Sequence, residues 1–438
     1  MARQHINSGK IPDMTDMEIG MKEASMRDGS IALSRLLSEI PDVQNDQAII
    51  CDKCSNTMHR IAANREKHIT SLLGEGTLKR DYFACQNPDC DNHIFPKDEL
   101  LDISRTSFSP GVRRIMGKVA HDHAFEKGSI DLKELSGINV SAKDIERISE
   151  KMGQKIEDWE SKDREQILKM NVAPTLTKDI PIMYIECDGT GVPAILKEVK
   201  NKKGKQQDGT SKTREAKLGC IFTQTSVDAE GYAVRDENST TYVGAIEPCS
   251  EFGKRLYVEA IKRDMPNAAV TVFLGDGAEW IWNLCDKYFS GAIQIIDFYH
   301  AKEHLHTLIE ALFNNKNRAY HLEKWEKSLE LGEIESIVSE AKNEKNTNPK
   351  KSNLEKIVIR EINYFTKNTA RMRYSLFREK GLFIGSGVIE AGCKNVIGKR
   401  LKQSGMRWSV KGANSIIALR CCILSGKFDE YWDSRKAS

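Results

Sequence analysis

Three acidic residues sit where strands end or a helix begins, and each could hold a divalent cation. Asp276 follows Val270–Leu274, a β-branched and aromatic run that is too short for a helix and suits a buried strand. Gly275 and Gly277 flank it and permit a sharp turn. A helix with apolar spacing at Ile281, Leu284, Cys285 and Tyr288 comes next. Asp188 closes a second apolar run, Ile182–Asp188, in which Glu186 and Asp188 share one face and Ile185 and Cys187 the other. Gly189-Thr-Gly191 then allows close approach to whatever Asp188 holds. It is not a phosphate-cradling loop, because no helix and no Lys-Ser/Thr pair follow. Glu390 lies on a helix from about Val388 that places Glu390, Cys393, Lys394, Ile397 and Leu401 on one mostly apolar face, so Glu390 is expected to point inward toward the sheet. Taken alone, its alternative is a carboxylate favoured by a helix N-terminus.

Carboxylates that converge without a cation repel one another. Two Mg(II) ions, or Mn(II) in their place, would resolve that repulsion and serve an in-line displacement at phosphorus. Basic residues surround these positions. Lys200, Lys202, Lys203, Lys205, Lys212, Arg214 and Lys217 crowd the loop from Lys197 to Lys217, and Lys394, Lys399, Arg400, Lys402 and Arg407 interleave with Trp408. Carboxylates with a basic periphery read as phosphodiester chemistry on nucleic acid. The bland alternative for the loop is a solvated linker.

A second chemistry lies near the front. Cys51-Asp-Lys-Cys54 and Cys85-Gln-Asn-Pro-Asp-Cys90 are two thiol pairs, spaced C-x2-C and C-x4-C. Thr77–Ala84 alternates as a strand that delivers the second pair. Four thiolates give one structural Zn(II) a closed tetrahedral shell, and in a small ribbon the metal supplies much of the folding free energy. The wider second spacing leaves His93 open as a substitute ligand.

The elements that must position these groups follow in chain order. Residues 1–47 form an N-terminal segment with a helix from about Met14 to Ile40, ended by Pro41, that serves packing or dimerisation. Residues 48–97 are the zinc ribbon. Residues 98–170 are helical: Pro110 opens one helix after Ser109, and a Gly137 turn leads to Ser141, which caps a further helix with Asp144 at its third position. That cadence is helix-turn-helix-like, with Lys143, Arg147 and Lys151 forming one basic face for DNA, although an ordinary helical hairpin has the same pattern. Residues 178–300 are α/β, with strands at Ile182–Asp188, Leu218–Thr225, Ser239–Ile246, Val270–Leu274 and Ala292–Asp297 and a helix at Phe252–Lys262. Residues 301–381 form a helical insertion broken by a polar loop at Asn343–Ser352, and residues 382–438 return with the helix of Glu390.

The bulk numbers set limits. The 438 residues allow two or three domains. The mean hydropathy of -0.49 argues against a membrane protein. The opening Met-Ala-Arg-Gln-His lacks an apolar leader, which predicts a cytoplasmic, nucleoid-associated protein. Net charge is only +3, so the uneven placement of charge matters more than its sum. The 11 cysteines read as thiols or metal ligands in a reducing compartment.

Asp188-Gly-Thr-Gly-Val-Pro, Thr213-Arg-Glu-Ala-Lys-Leu-Gly219, Gly275-Asp-Gly-Ala-Glu-Trp-Ile, Asp297-Phe-Tyr-His-Ala-Lys-Glu-His-Leu305 and the block from Gly385 to Trp408 resemble bacterial insertion-sequence transposases of the ISKra family. The resemblance spans nearly the whole chain, and the C-x4-C pair is its one departure. It implies a Mutator-like enzyme with an RNase H-like mixed sheet and a helical insertion before the last acidic residue. It puts the DDE triad at Asp188, Asp276 and Glu390, with Asp297 and His300 in support. It also implies binding of terminal inverted repeats and target DNA by a homo-oligomer, with metal-dependent cleavage and strand transfer. Two other readings remain: a metal-dependent nuclease that does not join ends, and a non-catalytic zinc-ribbon DNA-binding protein.

Overall fold

The computed structural model describes residues 13–42, 48–169, 180–204, 206, 209–347 and 352–435. Two compact units divide the chain at Ser149/Glu150.

In the first unit, helix α1 (Met14–Glu39) starts at Asp13, whose carboxylate accepts the Asp16 N–H at 2.9 Å. It lies against a hairpin: the Thr77 N–H donates to Ser34 Oγ at 3.1 Å. The hairpin joins β1 (Met58–Ser71) to β2 (Gly74–Cys85), and β3 (His93–Ile94) completes a three-stranded antiparallel sheet. β1 has no counterpart among the sequence expectations. Its alternation is broken by register shifts between Arg60 and Ala62 and between Ala62 and Arg65, so a period-two pattern is absent. Next, α2 (Pro110–Asp122) has Ser109 as N-cap and Pro110 in its first turn, and α3 (Phe125–Ser136) ends at Gly137 in the left-handed conformation (φ 77°). The long α4 (Ala142–Leu168), which belongs to the second unit from Glu150 on, opens with a capping pair, Asp144 N–H to Ser141 Oγ at 3.1 Å and Ser141 Oγ to Asp144 Oδ2 at 2.7 Å. Val112, Met116, Ala120, Leu132, Ile145 and Ile148 bury the faces of these three helices in one core.

The second unit is built on a mixed sheet of five strands. β4 (Ile180–Pro193), β5 (Thr213–Gln224), β8 (Thr241–Ala245), β9 (Ala268–Gly275) and β10 (Ile293–Ile296) lie in the order β10-β9-β4-β5-β8; β6 (Ser226–Val227) and β7 (Ala233–Val234) make a separate small hairpin. β4, β9 and β10 are parallel to one another, and β5 is antiparallel to both of its neighbours. The inner strands are apolar on both faces, with Met183, Tyr184, Ile185, Leu218, Phe222 and Phe273 fully buried, as strands covered on both sides must be. β4 continues past Asp188 to Pro193 because β5 keeps pairing with it, Gly189 to Lys217 and Pro193 to Thr213. Arg214 and Lys217 are therefore strand residues rather than loop residues.

Helices α5 (Cys249–Lys262) and α6 (Glu279–Tyr288) flank the sheet. α7 (Phe298–Leu312), α8 (Asn315–Leu331), α9 (Ile334–Thr347) and α10 (Ser352–Asn368) follow β10 as an all-helical stretch. α9 runs through Asn343, where a loop was expected. The Lys and Glu residues there are good helix formers, and their polarity reports exposure rather than backbone state. α11 (Gly387–Gly392) carries Glu390 and continues through a π turn, Cys393–Gly398, and α12 (Val410–Leu424) is largely buried.

Candidate functional site

β4 and β9 run parallel, with Glu186 opposite Leu274 as their last paired residues. Two residues further along, Asp188 on β4 and Asp276 just past the end of β9 come to the same, carboxyl-terminal end of these strands. Both are half-buried. Asp188 accepts the Gly189 N–H at 2.6 Å and the Cys393 thiol, and Asp276 accepts the Ala278 N–H at 2.7 Å. Burial pushes the Asp188 carboxyl up, and the Asp276 charge adds to that, while the Gly189 N–H and the nearby His300 pull the other way. Among the described residues, none of Asp188, Asp276 and Glu390 has a salt-bridge partner.

The helix of Glu390 is fastened to this end by two buried acids. Glu186 Oε2 accepts the Ile389 N–H at 2.8 Å, and Asp297 Oδ2 accepts the Ser386 N–H. Asp297 is the N-cap of α7, its Oδ1 taking the His300 N–H at 2.7 Å. Burial pushes Glu186 up to about 8, against the pull of the Ile389 N–H. Glu390 itself is exposed, with Ser386 Oγ at 3.4 Å from its Oε1. The expectation of an inward Glu390 is thus corrected: the apolar face of the helix is taken by Ile389, Cys393 and Val396, and a free carboxylate stays in water. The three carboxylates share one end of the sheet but do not form a tight cluster. Among the described residues, the only group of three or more His, Cys, Asp or Glu with ligand atoms all within 4.8 Å is the cysteine set.

Further residues at this end had no assigned role. Cys393 is buried against Asp188, which together with burial pushes its thiol well up. Tyr364 of α10 lies over Gly277: a Cβ added there would meet Tyr364 Cε2 at 2.1 Å and its hydroxyl at 3.0 Å. That hydroxyl is buried without a hydrogen-bond partner and feels the charges of Asp276 and Asp297. The His304 ring stacks on Tyr364 at 3.8 Å, its Nδ1 at 2.5 Å from the buried Glu361. Only the period-two spacing to Asp188 pointed to Glu186; nothing local pointed to Tyr364, about ninety residues downstream.

The cysteine cluster lies in the first unit. Cys51 and Cys54 precede β1, Cys85 ends β2, and Cys90 follows in the next turn. Their sulfurs pair at 3.8 Å (Cys51–Cys90) and 3.3 Å (Cys54–Cys85). Asn92 Nδ2 donates to Cys51 Sγ at 3.2 Å and the Asn87 N–H to Cys85 Sγ at 3.4 Å. Hydrogen bonds from Asn56 lower the Cys54 thiol to about 6, while burial raises Cys85 to about 12. Four sulfurs whose ligand atoms all lie within 4.8 Å of one another could bind zinc. His93 is not part of it. It pairs in β3 with Ala84, is exposed, and its ring stacks on Tyr82 at 5.4 Å.

The basic residues divide into two groups. Lys151, Lys202, Lys203, Lys394, Lys399, Lys402 and Arg407 are exposed. Lys143 and Arg147 are also at the surface, where they pair with Glu146 and Asp144. Arg400, Trp408 and Lys217 are corrected as DNA contacts. Arg400 is 0% exposed, its guanidinium 5.3 Å from the Trp408 ring, and burial draws it down to about 10. Trp408 is buried, with Nε1 donating to the Leu401 carbonyl at 3.1 Å. Lys217 is buried and held by Glu215 and the Glu247 carbonyl. Arg214 is half-buried beside Glu198. Lys205 lies outside the described residues.

Fold and sites together define a mixed α/β protein with a pair of strand-end aspartates and, in its first unit, a four-cysteine cluster. The chain belongs to an uncharacterised protein family, UPF0236, which it matches over residues 11–430. A relative described as "UPF0236 protein in vanSb 3'region", from Streptococcus gallolyticus, is 23% identical over 376 residues, covering 84% of this chain and 74% of its own. Among solved structures, the Drosophila P element transposase strand transfer complex is similar over 78% of this chain and 84% of that chain, at 9% identity and a TM-score of 0.25. No helix among the described residues is long and apolar enough to cross a membrane.

Proposed function

We propose that this protein is a DDE transposase of an insertion sequence, of the ISKra type, with an RNase H-like catalytic sheet. The observation that carries the reading is the meeting of Asp188 and Asp276 at one end of adjacent parallel strands, with the helix of Glu390 fastened to that end through Glu186 and Asp297. The strand order supports the RNase H-like assignment: β4, the first strand, is central, with parallel β9 and β10 on one side and, on the other, the single antiparallel strand β5 followed by β8.

Asp188, Asp276 and Glu390 would hold Mg(II), or Mn(II); they are hard oxygen donors without cationic partners among the described residues, which suits such an ion. When bound, two such ions supply an activated water or 3'-hydroxyl and neutralise the leaving oxygen. The remaining roles belong to the chain. Asp297 is a positioning residue, because one carboxylate fixes both the first turn of α7 and the approach to α11. His300, whose side chain is 40% exposed, is near enough to Asp188 for its charge to favour the Asp188 carboxylate, which suits a supporting role. The zinc ribbon, the helical region of residues 98–170 and the exposed lysines would engage terminal inverted repeats and target DNA, in a homo-oligomer.

A strand-transfer assay with labelled element ends tests this. Joined product supports transposition, nicks without joining indicate a nuclease, and binding alone a DNA-binding protein. Asp276→Asn should lower cleavage by at least about a hundredfold while leaving end-binding intact. Cleavage at the native rate by that variant would overturn the triad.

A further inference from the structure

We propose that a groove beyond the carboxylate site binds an unpaired DNA strand, gripping its phosphates from the rim and its bases from the floor; the choice of DNA rests on the function proposed above. The groove offers about 1010 Å³ between the end of the β4–β5 hairpin and the 405–407 segment. Its far wall is held in place by backbone pairing: the Trp408 N–H donates to the Pro193 carbonyl at 3.0 Å, and the Ile195 N–H to the Trp408 carbonyl at 3.0 Å. The buried Trp408 ring, with Arg400 beside it, anchors that wall from behind.

Lys197, Lys200, Lys202, Lys212 and Arg407 line the groove, all exposed. Among the described residues none of the five has an ion-pair partner, and the nearby Glu198 is already engaged by Arg214 at 3.9 Å. Between these cations the floor is largely apolar, and Leu196 is 77% exposed in it. An anionic polymer with apolar faces matches that pattern. A duplex shows only phosphates to such a surface and leaves the floor unused, whereas a single strand presents backbone and base faces together. β4 leads from Asp188 to Pro193 at the groove mouth, on the order of 17 Å at strand spacing. A strand leaving the carboxylates could thus continue into the groove.

The test is anisotropy of the full-length protein with a short fluorescein-labelled single strand and with its duplex. The expected result is tighter binding of the single strand. Leu196→Ser should weaken it about fivefold and leave duplex affinity unchanged. Lys200→Gln with Arg407→Gln should weaken it tenfold or more and reduce the slope of log affinity on log salt by about 1.4. These side chains are exposed, so the fold is not at risk, and circular dichroism verifies it. Single-strand affinity unmoved by every variant, an equal loss for duplex in Leu196→Ser, or displacement of DNA by an acidic peptide at lower concentration would each overturn the proposal. Asp276→Asn is run in parallel for cleavage: native-rate cleavage there sinks the catalytic reading, while the groove is judged by the binding data alone.

Discussion

Gly277 and Tyr364 show how the site is set at the scale of single residues. The tyrosine ring occupies the space that any side chain at position 277 would need, so Gly277→Ala is expected to push α10 away from the Asp276 turn. A fall in melting temperature together with lost cleavage is the expected reading. Tyr364→Phe separates stability from function. A buried hydroxyl without a partner costs about 1–3 kcal/mol of desolvation, so its removal should leave the melting temperature unchanged or higher. The hydroxyl lies in the field of Asp276 and Asp297, so cleavage should fall at the same time. An unchanged cleavage rate in a stably folded Tyr364→Phe would restrict the tyrosine to packing.

At the scale of elements, one guanidinium ties the second half of α4 to α5. Arg255 on α5 is 7% exposed, donates to Glu157 of α4 at 2.7 and 2.9 Å, and reaches Glu247 at 2.9 Å. Burial alone would raise Glu157, but Arg255 and Arg164 more than offset it and hold the carboxyl below its ordinary value. A depressed carboxyl contributes stability above its unfolded pKa and loses it as pH falls through the folded value. Arg255→Met should therefore cost about 2–4 kcal/mol at neutral pH, by stranding half-buried carboxylates, and should flatten the loss of stability on the acid side of about pH 4.3. Denaturant melts of both proteins from acid to neutral pH check the size and the sign. Parallel melting curves would mean that the cluster adds nothing to holding α4.

For the whole molecule, the cysteine cluster and the five-stranded sheet fall in separate compact units. The cluster's unit has a small sheet, and four of its buried or half-buried groups are the thiols themselves. About one zinc per chain is expected on metal analysis, lost in Cys51→Ser. Chelation should abolish or lower one thermal transition and leave the one belonging to the sheet in place. Metal analysis that finds none in freshly purified protein would refute the zinc assignment.

What was legible in the sequence was local. The Val270–Leu274 run, the glycines around Asp276, the Ser141/Asp144 capping pair and the two cysteine pairs are each written in a few consecutive residues, and backbone preference and side-chain period decide them before the chain folds. What only the tertiary structure decided was which side chains face water. Arg400, Trp408 and Lys217 sit in basic stretches that look like surface, yet packing against Leu401, Glu215 and the Glu247 carbonyl removes them from it. Glu390 looks inward by helical spacing and is exposed. Tyr364 packs over Gly277, next to Asp276, from an element that nothing in its own neighbourhood connects to the sheet. Burial and desolvation depend on partners dozens or hundreds of residues away, and no window of sequence holds that information.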